Sequence, residues 1–214
     1  SKDHAYLLSS SLGPSASIKP KSYNLIFKFV PCTGDFDPEN ANLLTDIESN
    51  NNLPPSSILS ASWIKRSDCR SPNQKVASLK IACASPESAN HLLCEKVFIE
   101  GQAITVRKDL KEPIRCNKCQ EHGHIRANCH GTEVCAHCAS NGHTTINCPP
   151  NQPARCRSCG PGSTHPSYSR SCPVFNSKCV AIDARYPKNS MPYFPTGERW
   201  TWATAPPKLS TIPP

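Results

Sequence analysis

Residues 116–129 read CNKCQEHGHIRANC, and residues 135–148 read CAHCASNGHTTINC. Cys116, Cys119, His124 and Cys129 run C-x2-C-x4-H-x4-C, and Cys135, Cys138, His143 and Cys148 repeat that spacing residue for residue. A third block, CRSCGPGSTHPSYSRSC at 156–172, is stretched: Cys156, Cys159, His165 and Cys172 follow C-x2-C-x5-H-x6-C. Two cysteines two residues apart grip one ion from a single tight turn. A polar loop then carries the histidine round, and the last cysteine closes the cage. Three thiolates and one imidazole make a closed tetrahedral set that suits structural Zn2+ and leaves no position for a catalytic water. Such blocks are too small for a hydrophobic core, so the metal must supply most of their folding free energy. The expected cofactor is therefore Zn2+, three ions per chain. Gly123 and Gly142 stand directly before two of the histidines, where the absence of a Cβ lets the backbone take positive φ or bend close to the metal.

Fourteen cysteines also fit a disulfide framework. Against that reading, nine of them fall on metal spacing, each set with its own histidine, and no apolar stretch resembles a signal peptide. Cys179 lies near the third block and is an alternative fourth ligand to His165. Cys32, Cys69, Cys83 and Cys94 are scattered elsewhere and read as buried or incidental thiols in a reducing compartment.

Charge follows the cysteines. Up to residue 110 there are twelve Lys/Arg against eleven Asp/Glu; from 111 onward there are twelve against five, a net of +7. Three thiolates with Zn2+ carry −1 per site, so three sites lower that +7 to about +4. A field of this size supports salt-sensitive phosphate contacts. The candidate nucleic-acid contacts are Arg115, Lys118, Ile125, Arg126, His137, Arg155, Arg157, Tyr168, Arg170 and Lys178.

The first half has another texture. Residues 1–21 are rich in Ser, Pro and Lys and read as a flexible leader. From 22 to 109 the periods read strand, helix, strand, strand, helix, strand. YNLIFKFV is the first strand, with Tyr23, Phe27 and Phe29 expected on one face, and Leu43, Leu44 and Ile47 mark the first helix. ILSASWIKR and VASLKIACA follow as strands, Trp63 being a candidate outward residue. Ser85, Pro86 and Glu87 cap a second helix that buries Ala89, Leu92 and Leu93, and VFIEGQAITVRK turns at Gly101 into the last strand. The expected class is α+β, a ferredoxin-like, RNA-recognition-motif-like βαββαβ domain followed by three small zinc knuckles and an extended tail. The third strand offers no aromatic residue where an RNA-recognition motif stacks bases, so this domain is expected to act as an interaction scaffold.

Taken in order, a domain of this pattern, VRKDLKEPIRCNKCQEHGHIRANC, the second knuckle and the stretched RCRSCGPGSTHPSYSRSCPVF resemble the gag-like proteins of non-LTR (LINE-type) retrotransposons. The segment Cys172-Pro173-Val174-Phe175 after the third knuckle belongs to that likeness, which spans roughly residues 22–200. It implies a protein that coats the element's single-stranded RNA, helps strands anneal, and self-associates. Single-stranded DNA is a second candidate ligand. The chain departs from retroviral knuckles in having Asn117 and Ala136 where an aromatic residue usually follows the first cysteine, and Thr144 where Ile125 stands in the first block. Stacking is worth roughly 1–3 kcal/mol per base, so weak base selectivity is expected, with His122, His137 or Tyr168 as substitutes.

The knuckles are expected at 114–130, 133–149 and 154–174, with a short helix and an aromatic, Pro-rich tail over 175–214. Val174, Phe175, Cys179 and Ile182 would share one helix face against the third knuckle, and Pro187 would end that helix. The sequence shows no nucleophile paired with a base, no phosphate loop and no carboxylate pair, so no enzyme is expected. No membrane partner is expected either. A cellular zinc-knuckle RNA-binding adaptor in RNA processing or decay is the alternative function. The expected compartment is the cytosol, with nuclear entry as a ribonucleoprotein.

Overall fold

The computed structural model describes residues 21–32, 36–38 and 40–203. The leader at 1–20 and the tail end at 204–214 lie outside the described residues. Two compact units emerge among the described residues: the first runs to Asp109 and resumes at Met191, the second is Leu110–Ser190.

The first unit is a mixed α+β domain. Its strands are β1 (Tyr23–Pro31), β2 (Ile58–Trp63), β3 (Val76–Cys83), β4 (Val97–Ile99) and β5 (Gln102–Lys108), with helices α1 (Ala41–Asn50) and α2 (Pro86–Cys94). They form one antiparallel five-stranded sheet in the order β2-β3-β1-β5-β4. One strand more than expected arises because Glu100 and Gly101 both take positive φ (49° and 73°), the two-residue turn that matches the twist of a hairpin. It folds Val97–Ile99 back onto β5.

Both helices pack on one sheet face. Leu25, Phe27, Leu79 and Ile81 from the sheet meet Ile47 of α1 and Ala89 and Leu92 of α2 in a single cluster. Burying such side chains stabilises the unit by about 1.5–3 kcal/mol each. Helix starts follow their caps: the Ser88 amide donates to Ser85 Oγ at 3.1 Å, and the Asn42 amide donates to Asn40 Oδ1 at 3.0 Å. Glu48, buried, accepts from the Ser56 and Ile58 amides at 3.0 and 2.7 Å, tying α1 to the start of β2. Burial, reinforced by the negative charge of Glu48, pushes the Cys83 thiol up to about 12.

Two expectations about aromatic residues are corrected. Tyr23, Phe27 and Phe29 do not share a face: Phe27 is fully buried while Phe29 is 64% exposed. A β-bulge between Phe27 and Val30 is the cause, with Phe29 at φ 62°. Trp63 does not lie outward. It packs against the core, 5.4 Å from the Phe36 ring, with the Arg70 guanidinium 4.3 Å over its face.

The segment after residue 190 returns to this unit. Asn90, buried, pairs with the backbone of Phe194 through two 2.8 Å hydrogen bonds, and the Phe194 ring meets Tyr23 edge-on at 5.3 Å. Lys108 Nζ donates to the carbonyls of Met191 and Tyr193 at 2.7 and 3.2 Å. Thr201, fully buried, closes the strap through Thr196 and Glu198. Among the described residues, no helix is long and apolar enough to cross a membrane.

Candidate metal centres

The second unit is built on three similar turns. In the first knuckle the Gln120 amide donates to the Cys116 carbonyl and the Cys116 amide to the Glu121 carbonyl. In the second, Ala139 with Cys135, and Cys135 with Ser140, repeat the pair. In the third, Gly160 donates to Cys156, but Ser163 Oγ replaces the backbone acceptor of the Cys156 amide. The residue after the second cysteine is left-handed each time: Gln120 at φ 64°, Ala139 at 59° and Gly160 at 79°. Gly123 (φ 112°) and Gly142 (φ 90°) turn the chain toward the histidines, at angles that an L side chain rarely adopts.

These turns bring the ligand atoms together. Cys116, Cys119, His124 and Cys129 form one group, Cys135, Cys138, His143 and Cys148 a second, and Cys156, Cys159, His165 and Cys172 a third. Within each group all ligand atoms lie within 4.8 Å of one another. Zn–S bonds of about 2.3 Å and Zn–N bonds of about 2.0–2.1 Å imply tetrahedral edges of about 3.8 Å (S···S) and about 3.6 Å (S···N). His124 and His143 sit 3.3 Å from Cys119 and Cys138, and His165 sits 3.6 Å from Cys159, each through Nε2. In the third group Cys172 Sγ is 3.7 Å from Cys156 and 3.4 Å from Cys159. These are ligand-cage edges, far longer than an S–S bond of about 2.0 Å. All fourteen cysteines are unbridged thiols. Three Cys3His sites thus stand ready for three zinc ions.

The environment splits the ligand thiols, lowering Cys116, Cys138 and Cys172 and raising Cys119, Cys148 and Cys159. Burial raises the pKa of Cys116, yet the Cys119 and Lys118 amides and the neighbouring Cys129 and Cys119 thiols outweigh it and bring it down to about 6. The Lys118 amide lies 3.3 Å from Cys116 Sγ. Cys138 likewise falls to about 6 against its burial, through the amide and hydroxyl of Ser140 and then the Cys135 and Cys148 thiols. Cys148 is pushed up to about 12 by burial and by those same thiol neighbours. A bound dication expels the remaining protons, which makes metal uptake proton-releasing and acid-sensitive.

No family model, curated protein or solved structure matches the chain.

The knuckles are joined in series. The Val134 amide donates to the Lys118 carbonyl, and buried Gln120 donates to the Val134 carbonyl at 3.2 Å. The Arg155 amide donates to His137, and the Ser167 amide to Ala136. Nothing in the sequence repeat marks Gln120 or Ser167; the only hint is a long polar residue where the third block has glycine. Helix α3 (Pro173–Arg185) follows the third knuckle, with Val174, Phe175, Cys179 and Ile182 half-buried. Cys179 stays outside the ligand group. Asn189 clasps the two ends of the unit, bonding Lys111 at 2.7 and 3.1 Å and Asp183 at 2.6 Å.

The proposed nucleic-acid contacts are placed unevenly. Arg126, Arg155, Arg157, Arg170, Lys178, Ile125 and Tyr168 are exposed. Arg126, Arg157 and Arg170 each pair with a carboxylate: Glu133 at 3.1 Å, Glu121 at 3.7 Å and Glu112 at 2.7 Å. Half-buried Arg115 binds Gln120 Oε1, and burial lowers its pKa despite the nearby Cys156 and Cys116. Lys118 Nζ reaches the Cys129 carbonyl at 3.4 Å, holding its own knuckle. His137 bonds the Gln152 carbonyl at 3.1 Å, and His122 is wedged between Ser158 (3.2 Å) and the Phe175 ring (6.3 Å). Exposed Ile146, in the 3-10 turn Thr145–Asn147, was not singled out by its sequence context.

Proposed function

We propose that this chain binds single-stranded nucleic acid, coating RNA and promoting its annealing through three zinc knuckles, as a gag-like protein of a non-LTR retrotransposon. The observation that carries the reading is the joining of three closed Cys3His sites in one unit whose surface displays arginines. A groove of about 470 Å³ at the first knuckle is lined by its ligands Cys119, His124 and Cys129 and by His130 and the Arg157–Glu121 pair, and a second of about 190 Å³ by Ser140, Arg155 and Arg157. Unstacked bases and phosphates fit shallow concavities of this kind, the second of them rimmed by two arginines. Closed metal sites support a role without catalysis.

The sheet unit is read as a ferredoxin-like, RNA-recognition-motif-like domain with an added edge hairpin. The order β2-β3-β1-β5, with both helices on one face, supports that reading. The partners follow from it: single-stranded RNA first, single-stranded DNA second, and further copies of the chain. The compartment that suits unbridged thiols is the cytosol, with nuclear entry as a ribonucleoprotein.

Titrating labelled single-stranded RNA at several salt concentrations tests the proposal, with Cys116→Ser plus Cys135→Ser alongside. Salt-sensitive binding that collapses in the double variant is expected. Binding that ignores the loss of both sites would overturn the role of the knuckles. No RNA binding by the intact zinc-loaded chain would overturn the proposal and the RNA-binding adaptor alternative alike.

A further inference from the structure

The knuckle unit is inserted into the sheet unit. The chain leaves the first unit at Asp109, builds the second over Leu110–Ser190, and resumes the first at Met191. The returning strap, residues 191–203, is therefore tied to its seat only through the whole of the knuckle unit. How readily it docks depends on how that unit holds its own two ends.

Both sides of the crossing are pinned. Within the sheet unit, Lys108 Nζ donates to the Met191 carbonyl at 2.7 Å, so the points of exit and return lie together. Within the knuckle unit, the Lys111 amide donates to Asn189 Oδ1 at 2.7 Å, and Asn189 Nδ2 donates to the Lys111 carbonyl at 3.1 Å. Asn189 also donates to Asp183 of α3 at 2.6 Å, and the Lys111 ammonium lies 3.8 Å from the centre of the Tyr186 ring. One jaw of this clasp thus stands at the end of α3, a helix that starts directly after Cys172, a ligand of the third site. The other leads through Ile114, whose carbonyl accepts from the Gly123 amide, to Cys116, a ligand of the first site. Helix α3 has no buried residue, so the metal sites are what keep the two jaws in register.

Loop closure turns this arrangement into a coupling. With the knuckles folded, the path from Asp109 to Met191 across the clasp is a tether of about four residues; with them unfolded it is about eighty. Effective concentration falls roughly as the −3/2 power of tether length, so the seat meets a strap on the order of 100-fold more dilute once the metal is gone. The strap is held by few contacts: two Asn90–Phe194 bonds, the Lys108 bonds, and the edge-on meeting of Phe194 with Tyr23. A factor of that size changes how often such a set opens.

We propose that zinc occupancy of the knuckles controls docking of the strap on the sheet unit, through the Asn189 clasp that brings the ends of the knuckle unit together. Zinc loading closes the strap, and zinc loss frees it. This coupling rests on the three metal sites and is independent of the nucleic-acid reading.

Amide exchange of the full chain, followed by NMR with zinc content measured on the same sample, reads the coupling at one atom. The Phe194 amide donates to Asn90 Oδ1 in the docked strap. Its protection should fall on the order of 100-fold when a chelator strips the zinc, while amides of β1 and β3 keep theirs. Asn189→Ala leaves every metal ligand in place and should still hold three zinc ions. It lengthens the tether to about eight residues and should lower Phe194 protection about threefold. Phe194 protection that is the same with and without zinc would overturn the proposal and leave the metal sites intact. An equal loss of protection in β1 and β3 would overturn it too, because the sheet unit as a whole would then answer to the metal. Wild-type protection of Phe194 in zinc-loaded Asn189→Ala would remove the clasp as the route, and the proposal with it. A chain that takes up no zinc would sink the metal sites and the coupling together.

Discussion

In the sheet unit the largest fully buried side chains include Phe27, Leu25, Leu79, Ile81 and Leu92; in the knuckle unit they are Cys116, Cys135 and Cys156. One unit excludes water from hydrocarbon, the other from sulfur. Helix α3 underlines the contrast, since none of its thirteen residues is buried. The knuckle unit therefore has little apolar burial to fall back on. Its order must come from metal bonds, from the hydrogen bonds joining one knuckle to the next, and from the Asn189 clasp.

The sharpest way to break the comparison is to take away the metal. Structural zinc contributes about 10–16 kcal/mol per site in small zinc peptides, far beyond what the knuckle unit can replace. Chelation should abolish protection of amides across 110–190 while those of β1, β3 and β5 stay protected, as hydrogen exchange would read. Loss of both together would mean the units are not independent. The converse perturbation is Phe27→Ala, expected to cost about 3–5 kcal/mol in the sheet unit and to leave zinc content unchanged. Denaturant melts paired with metal analysis check both halves of that statement.

A smaller effect is expected at Asn90, which ties the returning strap to α2. Asn90→Ala strands the Phe194 amide and carbonyl and should destabilise by about 1–3 kcal/mol, exposing 191–203 to proteolysis before the rest of the sheet unit opens. The smallest effect concerns pH. Burial lowers the Lys108 pKa from 10.5 to about 8, so above that point the unfolded chain holds a proton that the folded chain has released. Stability from this group should therefore rise as pH climbs from about 8 toward 10.5. Cys83 acts in the opposite sense, because its folded pKa of about 12 lies above the ordinary 9.0. Comparing wild type with Lys108→Met between pH 7 and 9 isolates the lysine; wild type should gain stability relative to the variant as pH rises, and no such gain would contradict the assignment.

Legibility in the sequence followed the same division. Cysteine and histidine spacing prescribes a cage almost without reference to the rest of the chain, so the ligand groups could be written from residue numbers alone. Periodicity located the helices and most of the strands. It missed β4, because a three-residue strand carries too little pattern and the Glu100-Gly101 turn was read as a bend into one strand. It also misplaced Phe29, since alternation counts two residues per repeat and a bulge inserts one. The Asn90 pairing with Phe194 joins residues 104 positions apart, which no local pattern encodes. The burial of Arg115 and Lys118 was hidden for a related reason: a basic residue beside a ligand looks alike whether it faces phosphate or its own backbone.

The most direct test of the account is the zinc count of the reduced full chain by native mass spectrometry. Three zinc ions per chain, one for each Cys3His group, is the predicted result. One ion or none, with the nine ligand thiols still reactive toward alkylation, would contradict the claim that metal holds the knuckle unit together.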